Sequence, residues 1–113
     1  MPSLGELERA VMERLWAADG PLTARAVQDG LVTRDLATTT VLTVLGRLER
    51  KGLVTREREG RAHRYRSVAS REDHVAELMR DALSAAPDRG AALARFLGTI
   101  PPDERAALRD LLD

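Results

Sequence analysis

Residues 37–52 read Ala-Thr-Thr-Thr-Val-Leu-Thr-Val-Leu-Gly-Arg-Leu-Glu-Arg-Lys-Gly, from Ala37 to Gly52. Placed on a helix of 3.6 residues per turn, Val41, Val44, Leu45 and Leu48 fall on one narrow face. The opposite face collects Thr39, Thr43, Gly46, Arg47 and Arg50, with Thr40 and Lys51 along its edge. One side suits a core, and the other is short, polar and cationic. The leading threonines predict an N-cap, Arg50 and Lys51 sit at the negative end of the helix dipole, and Gly52 can end the helix in a left-handed turn. Short hydroxyls and methyls beside arginines suit a helix lying in a DNA major groove. Threonine can bond a base edge or touch a thymine methyl, and arginine can reach phosphate or guanine. A half-buried helix with a solvated polar face shows the same pattern, so the flanking segments have to decide.

After Gly52 the period changes from helical to alternating. Leu53–Arg58 is strand-like, Glu59-Gly60-Arg61 is a turn, and Ala62–Val68 is a second strand, which predicts an antiparallel hairpin. A lone hairpin is marginal, so it must lean on the preceding helices as a wing. Arg61 stands at its tip with His63 and Arg64 close by, and Arg56, Arg58 and Arg66 add charge along the strands. Mixed charge also guards an edge hairpin against aggregation, but a cationic tip beside a cationic helix favours DNA contact.

Before residue 37, Leu4–Ala18 predicts a helix with Leu7, Val11, Leu15 and Ala18 on one stripe and Met12 and Trp16 as a second apolar pair. Asp19-Gly20-Pro21 ends it. Thr23 caps a short helix carrying Ala24, Val27 and Leu31, and 31–37 is the turn into the third helix. Three helices, the last with a polar outer face, match a helix-turn-helix.

Beyond residue 69, Ser70-Arg71-Glu72-Asp73 opens a helix whose stripe holds Val75, Leu78, Met79, Ala82, Leu83 and Ala86. Pro87–Gly90 breaks it. A fifth helix, Ala91–Leu97, carries Leu93, Phe96 and Leu97, and a sixth from Pro102 carries Ala107, Leu108, Leu111 and Leu112. So few residues cannot close a core of their own, which predicts that they interlock with a second copy. The expected organisation is mainly α with a small β-hairpin. Residues 1–69 form a winged helix-turn-helix DNA-binding domain, and 70–113 form a three-helix dimerisation domain.

The chain of 113 residues has a formal net charge of zero, but unevenly placed. Residues 1–69 hold 12 basic against 9 acidic side chains, 70–113 hold 6 against 9, and 34–66 hold 9 against 4. A basic middle suggests a nucleic-acid contact and an acidic tail a separate partner surface. There is no cysteine, which removes disulfides, thiolate metal sites and a cysteine nucleophile. No apolar run could span a bilayer and the N-terminus lacks signal-peptide regions, so membrane insertion is not expected and a cytoplasmic protein is.

These stretches resemble the BlaI/MecI family of winged-helix repressors. The resemblance rests on Leu7–Trp16, on Thr39–Leu48, on Glu49-Arg50-Lys51-Gly52-Leu53-Val54 and on Gly60–Tyr65, and it extends over nearly the whole chain. It implies a homodimer that binds a palindromic operator in double-stranded DNA and represses genes, typically for β-lactam resistance. It also implies a membrane-bound sensor metalloprotease as a partner, and release by cleavage in the dimerisation domain. The family's scissile bond precedes a phenylalanine in the fifth helix, which points to Arg95–Phe96; the family pattern has Asn where Arg95 stands. A copper-sensing branch uses C-terminal cysteines, which are absent here.

The candidate base-reading residues are therefore Thr39, Thr40 and Thr43, and the candidate phosphate contacts are Arg47, Arg50, Lys51, Arg61, His63 and Arg64. Val75, Leu78, Met79, Leu83, Phe96, Leu97, Leu108 and Leu111 are the candidate dimer contacts. No cofactor, metal or catalytic residue is expected. An enzyme would have to build its site from His63 and His74, the only histidines. A winged helix for protein contact would show apolar anchors on its third helix and wing. A ligand-released regulator of other genes would need a pocket, usually lined with aromatics, and the chain has one Trp, one Tyr and one Phe.

Overall fold

Helix α1 spans Glu6–Ala17; Val11 and Leu15 of the expected stripe and Met12 of the second pair are buried, while Leu7, Ala18 and Trp16 are half-buried. The structure, a computed structural model, describes residues 4–31 and 36–113. Most of the expected turn between the second and third helices lies outside the described residues. After α1 the chain forms β1 (Leu22–Thr23), α2 (Ala24–Asp29), α3 (Thr38–Arg50), β2 (Val54–Glu59), β3 (Ala62–Ser67), α4 (Arg71–Ser84), α5 (Arg89–Thr99) and α6 (Pro102–Leu112).

Thr23 caps α2 as expected: its Oγ1 accepts a hydrogen bond from the Ala26 N–H at 3.1 Å. Thr23 and Leu22 also form a strand that the sequence reading lacked. Leu22 pairs with Tyr65 and Thr23 with Arg64, so the sheet has three antiparallel strands in the order β1-β3-β2. The hairpin therefore has a partner strand alongside the middle of β3 as well as helices behind it. That relieves the marginal stability of a two-stranded ribbon.

Helix α3 ends in a Schellman turn. Gly52 adopts φ 79°, its N–H donates to Glu49 O at 3.0 Å, and the Leu53 N–H donates to Leu48 O at 2.9 Å. Leu48 and Leu53, the apolar pair that accompanies this motif, are both buried. This turn swings the chain from the third helix directly into the wing. The start of α3 differs from expectation. Its N-cap is Ala37, with no side-chain cap, and the three threonines lie inside the first turn. Thr38 is instead tied to α2: its Oγ1 donates to Gln28 Oε1 at 2.6 Å, while Gln28 Nε2 donates to Leu36 O at 2.6 Å.

Backbone proximity divides the chain into two compact units that part between Val75 and Ala76, inside α4. The first holds the core: Val11, Met12, Leu15, Ala24, Val27, Val41, Val44, Leu45, Leu48, Leu53, Val54 and Tyr65 are buried. The parting lies beyond the expected boundary at residue 70 because the first turn of α4 packs on α1. The Trp16 indole N–H donates to Ala69 O at 3.1 Å, and the Trp16 and His74 rings lie 5.3 Å apart. The Arg71 guanidinium stands 5.6 Å from the Trp16 ring centre and pairs with Glu13.

In the second unit, Ile100 alone among the described residues is a buried apolar side chain. Asp88 caps α5, its Oδ1 accepting from the Ala91 N–H at 3.0 Å, so Arg89 and Gly90 are helical and the helix runs on to Thr99. Both ends of α5 lie beyond the expected 91–97 span. Glycine costs little at helix termini, where backbone groups lack intrahelical partners in any case.

Candidate nucleic-acid interface

The two faces of α3 separate as the periodicity demands. Val41, Val44, Leu45 and Leu48 are buried, whereas Thr39, Thr40, Thr43, Arg47 and Arg50 are exposed. Thr43 Oγ1 donates to Thr39 O at 2.9 Å. That spends its proton but leaves its lone pairs free to accept from an adenine or cytosine amino group. Arg47 and Arg50 have no ion-pair partner among the described residues, so their guanidinium groups are available to an external anion.

Lys51 has a different environment. Its Nζ donates to both carboxylate oxygens of Glu8, at 2.8 and 3.0 Å. Glu8 Oε1 also accepts the Gly5 N–H at 3.1 Å, and the Glu8 side chain is nearly buried. Glu8 was missed by sequence reading, although it carried a signal. It stands three and four residues before Val11 and Met12, on the core stripe, where a charge needs a partner. The pair fastens the start of α1 to the end of α3. The Lys51 hydrogen bond, then the Gly5 N–H, hold the Glu8 carboxyl below its ordinary range against the opposing effect of burial.

A carboxyl whose pKa is lowered by folding stabilises the fold above its unfolded pKa and loses that contribution as pH falls through the folded value. The stability gap between wild type and Glu8→Gln is therefore expected to be widest near neutral pH and to close below the ordinary carboxylate range. Denaturation midpoints across pH 3 to 7 check this. A gap independent of pH would assign the Glu8 contribution to packing rather than charge.

The wing turns through Gly60 and Arg61, with Glu59 opposite Ala62 and Gly60 at φ 63°. A left-handed residue is what a two-residue hairpin loop requires. Arg61 stands exposed at the tip, with no ion-pair partner among the described residues. The strand alternation then sorts the other charges. Glu57, Glu59, Arg64 and Arg66 share one face, where Arg64 pairs with Glu59 at 3.1 Å and Arg66 with Glu57 at 2.6 Å. The other face carries Arg56, Arg58, His63 and the buried Tyr65. Arg56 reaches Glu49 of α3 at 3.5 Å, and His63 is half-buried with its Nδ1 unpartnered. Of the six expected phosphate contacts, Lys51 and Arg64 thus have acidic partners, while Arg47, Arg50 and Arg61 form no ion pair among the described residues.

The tail residues singled out from the sequence lie on α4 (Val75, Leu78, Met79, Leu83), α5 (Arg95, Phe96, Leu97) and α6 (Leu108, Leu111). Leu78, Leu83 and Leu108 are half-buried; Val75, Met79, Phe96, Leu97 and Leu111 are exposed, Leu111 to 82%. Among the described residues no group of three His, Cys, Asp or Glu side chains could hold a metal ion, and no helix is long and apolar enough to cross a membrane.

The sequence model of a family described as penicillinase repressor matches residues 4–113. The chain belongs to the penicillinase-repressor family. The transcriptional regulator BlaI of Mycobacterium tuberculosis is 51% identical, over 96% of this chain and 82% of its own. Among solved structures, a MarR family protein from Bacillus stearothermophilus superposes with a TM-score of 0.54 at 22% identity, covering 98% of this chain and 71% of that one. BpsR of Bordetella bronchiseptica, whose DNA binding is regulated by 6-hydroxynicotinic acid, gives 0.56 at 19% identity, over 97% and 73%. These likenesses establish the winged-helix fold. Membership of the penicillinase-repressor family makes the chain a transcriptional repressor of the BlaI type that binds DNA, and not an enzyme.

Proposed function

We propose that this penicillinase repressor works in the cytoplasm as a homodimer on a palindromic operator, in regulation of the β-lactam-resistance type. In this reading α3 lies in the major groove, Thr39, Thr40 and Thr43 meet base edges, and Arg47, Arg50 and Arg61 meet phosphates. The observation that carries it is the division of α3 into a buried aliphatic face and an exposed face of threonine and arginine. Lys51, His63 and Arg64 belong to the same basic surface; Lys51 and Arg64 would have to share their charge with Glu8 and Glu59. Residues 70–113 supply the dimer interface, because Val75, Met79, Phe96, Leu97 and Leu111 are exposed on a stretch of chain too short to bury them alone. Release follows cleavage between Arg95 and Phe96 in α5, set in train by a membrane-bound sensor metalloprotease. The resemblance to BlaI/MecI repressors and the exposure of Phe96 support that step, and cleavage would divide α5.

Base readers and phosphate contacts separate in one experiment. Thr39→Ala or Thr43→Ala is expected to weaken specific binding by about 1–3 kcal/mol and to leave binding to random duplex nearly unchanged. Removing Arg47, Arg50 or Arg61 is expected to weaken binding to every sequence and to shallow the slope of log affinity against log salt by roughly 1 per contact. Titrations of operator and random duplex at several salt concentrations measure both. Slopes unchanged in all three arginine variants would move the DNA face elsewhere.

A further inference from the structure

Every apolar side chain of α3 is buried except one. Leu42 is 44% exposed, while Val41, Val44, Leu45 and Leu48 are at most 3% exposed. Thr39, Leu42 and Gly46 recur at i, i+3 and i+7, so Leu42 shares a side of the helix with a proposed base reader and not with the core. Gly46, one turn further on, has no side chain to shield it. A Cβ built on Gly46 would touch only Arg50 Nη1, at 3.7 Å. The branched end of Leu42 therefore stands in the open beside threonines and arginines.

The major-groove edges of the base pairs offer donors, acceptors and one apolar group, the C5-methyl of thymine. A leucine on an otherwise polar reading face has no other complementary partner there, and against a donor or acceptor it would leave that group unsatisfied. We propose that Leu42 is a specificity-determining residue that reads a thymine by packing on its C5-methyl group. This rests on α3 being the reading helix, and it adds a preference that hydroxyl and guanidinium groups do not supply.

Uracil differs from thymine by that methyl group alone. The probe is the duplex that the full-length wild-type protein enriches from a random-sequence pool, resynthesised with each dT in turn replaced by dU. Wild type is expected to lose about fourfold in affinity at one dT of a half-site, the worth of one methyl group removed from its contact. Leu42→Ala and Leu42→Gln are expected to bind the dT and dU duplexes alike at that position, and Leu42→Met to keep the discrimination. Leu42 lies outside the buried set of α3, and equal melting temperatures of the variants verify that the fold is intact. The same dU sensitivity in Leu42→Ala as in wild type, or none at any position in wild type, would overturn the assignment while leaving α3 as the reading helix. Failure of wild type to enrich any sequence would instead overturn the sequence-specific reading, and Leu42 with it.

Discussion

Leu97→Asp is expected to leave each protomer folded, to prevent dimerisation and to lower operator affinity by roughly 100- to 10,000-fold, the gain that a linked second site confers. Leu97 is 45% exposed and Phe96 49% exposed, so about half of each side chain is open to a partner. On α4, Met79 is exposed to a similar degree, and on α6 Leu111 and Leu112 more so. A unit of under ~40 residues with this much apolar surface open to water is ordinarily completed by a partner. A carboxylate placed inside that shared surface has no counter-charge and costs several kcal/mol. Sedimentation velocity reads the association state, and titration with operator and half-site duplexes reads the affinity. Leu97→Asp should sediment as a monomer and bind one half-site weakly. A dimeric, tightly binding Leu97→Asp would remove α5 from the interface. It would also deprive cleavage at Arg95–Phe96 of its physical effect, since a cut outside the interface has no reason to release DNA.

Much of this architecture was legible because helices advertise themselves locally. Val41, Val44, Leu45 and Leu48 repeat at the helical period, and all four are buried. Gly52 was readable as a stop because few other residues tolerate its backbone angle. What escaped was set by distance along the chain or by brevity. Strand β1 has two residues, too short for any alternation to show, and it exists only because β3 lies alongside. Glu8 and Lys51 are 43 residues apart, and nothing local says that one will neutralise the other. Arg64 reads as a phosphate contact close to the wing tip, yet the register that brings Glu59 within 3.1 Å exists only once the hairpin has closed. Trp16 reads as the apolar partner of Met12. Its indole N–H donates to the Ala69 carbonyl, and its ring meets His74 and Arg71, so it fastens the first turn of α4 to α1.

The inner face of α3 carries the second large effect. Leu45 is fully buried, and Val11, Met12, Val27 and Tyr65 make up the same small core. Leu45→Ala is expected to cost about 2–5 kcal/mol, from lost transfer energy plus the cavity left behind. With so few other buried side chains in this unit, neighbours have little freedom to collapse into the gap. For a domain of this size that corresponds to a fall in melting temperature of roughly 10–25 °C. Operator specificity is expected to behave differently, because Leu45 points away from the threonines and arginines. Molecules that remain folded at low temperature should discriminate operator from random duplex as wild type does, with affinity lowered only by the unfolded fraction. Thermal denaturation followed by titration at 10 °C separates the two quantities. An unchanged melting temperature would mean that α3 is not seated on this core. Lost discrimination at full folding would mean that the inner face sets the tilt of the reading helix, and that stability and recognition are not divided between its two sides.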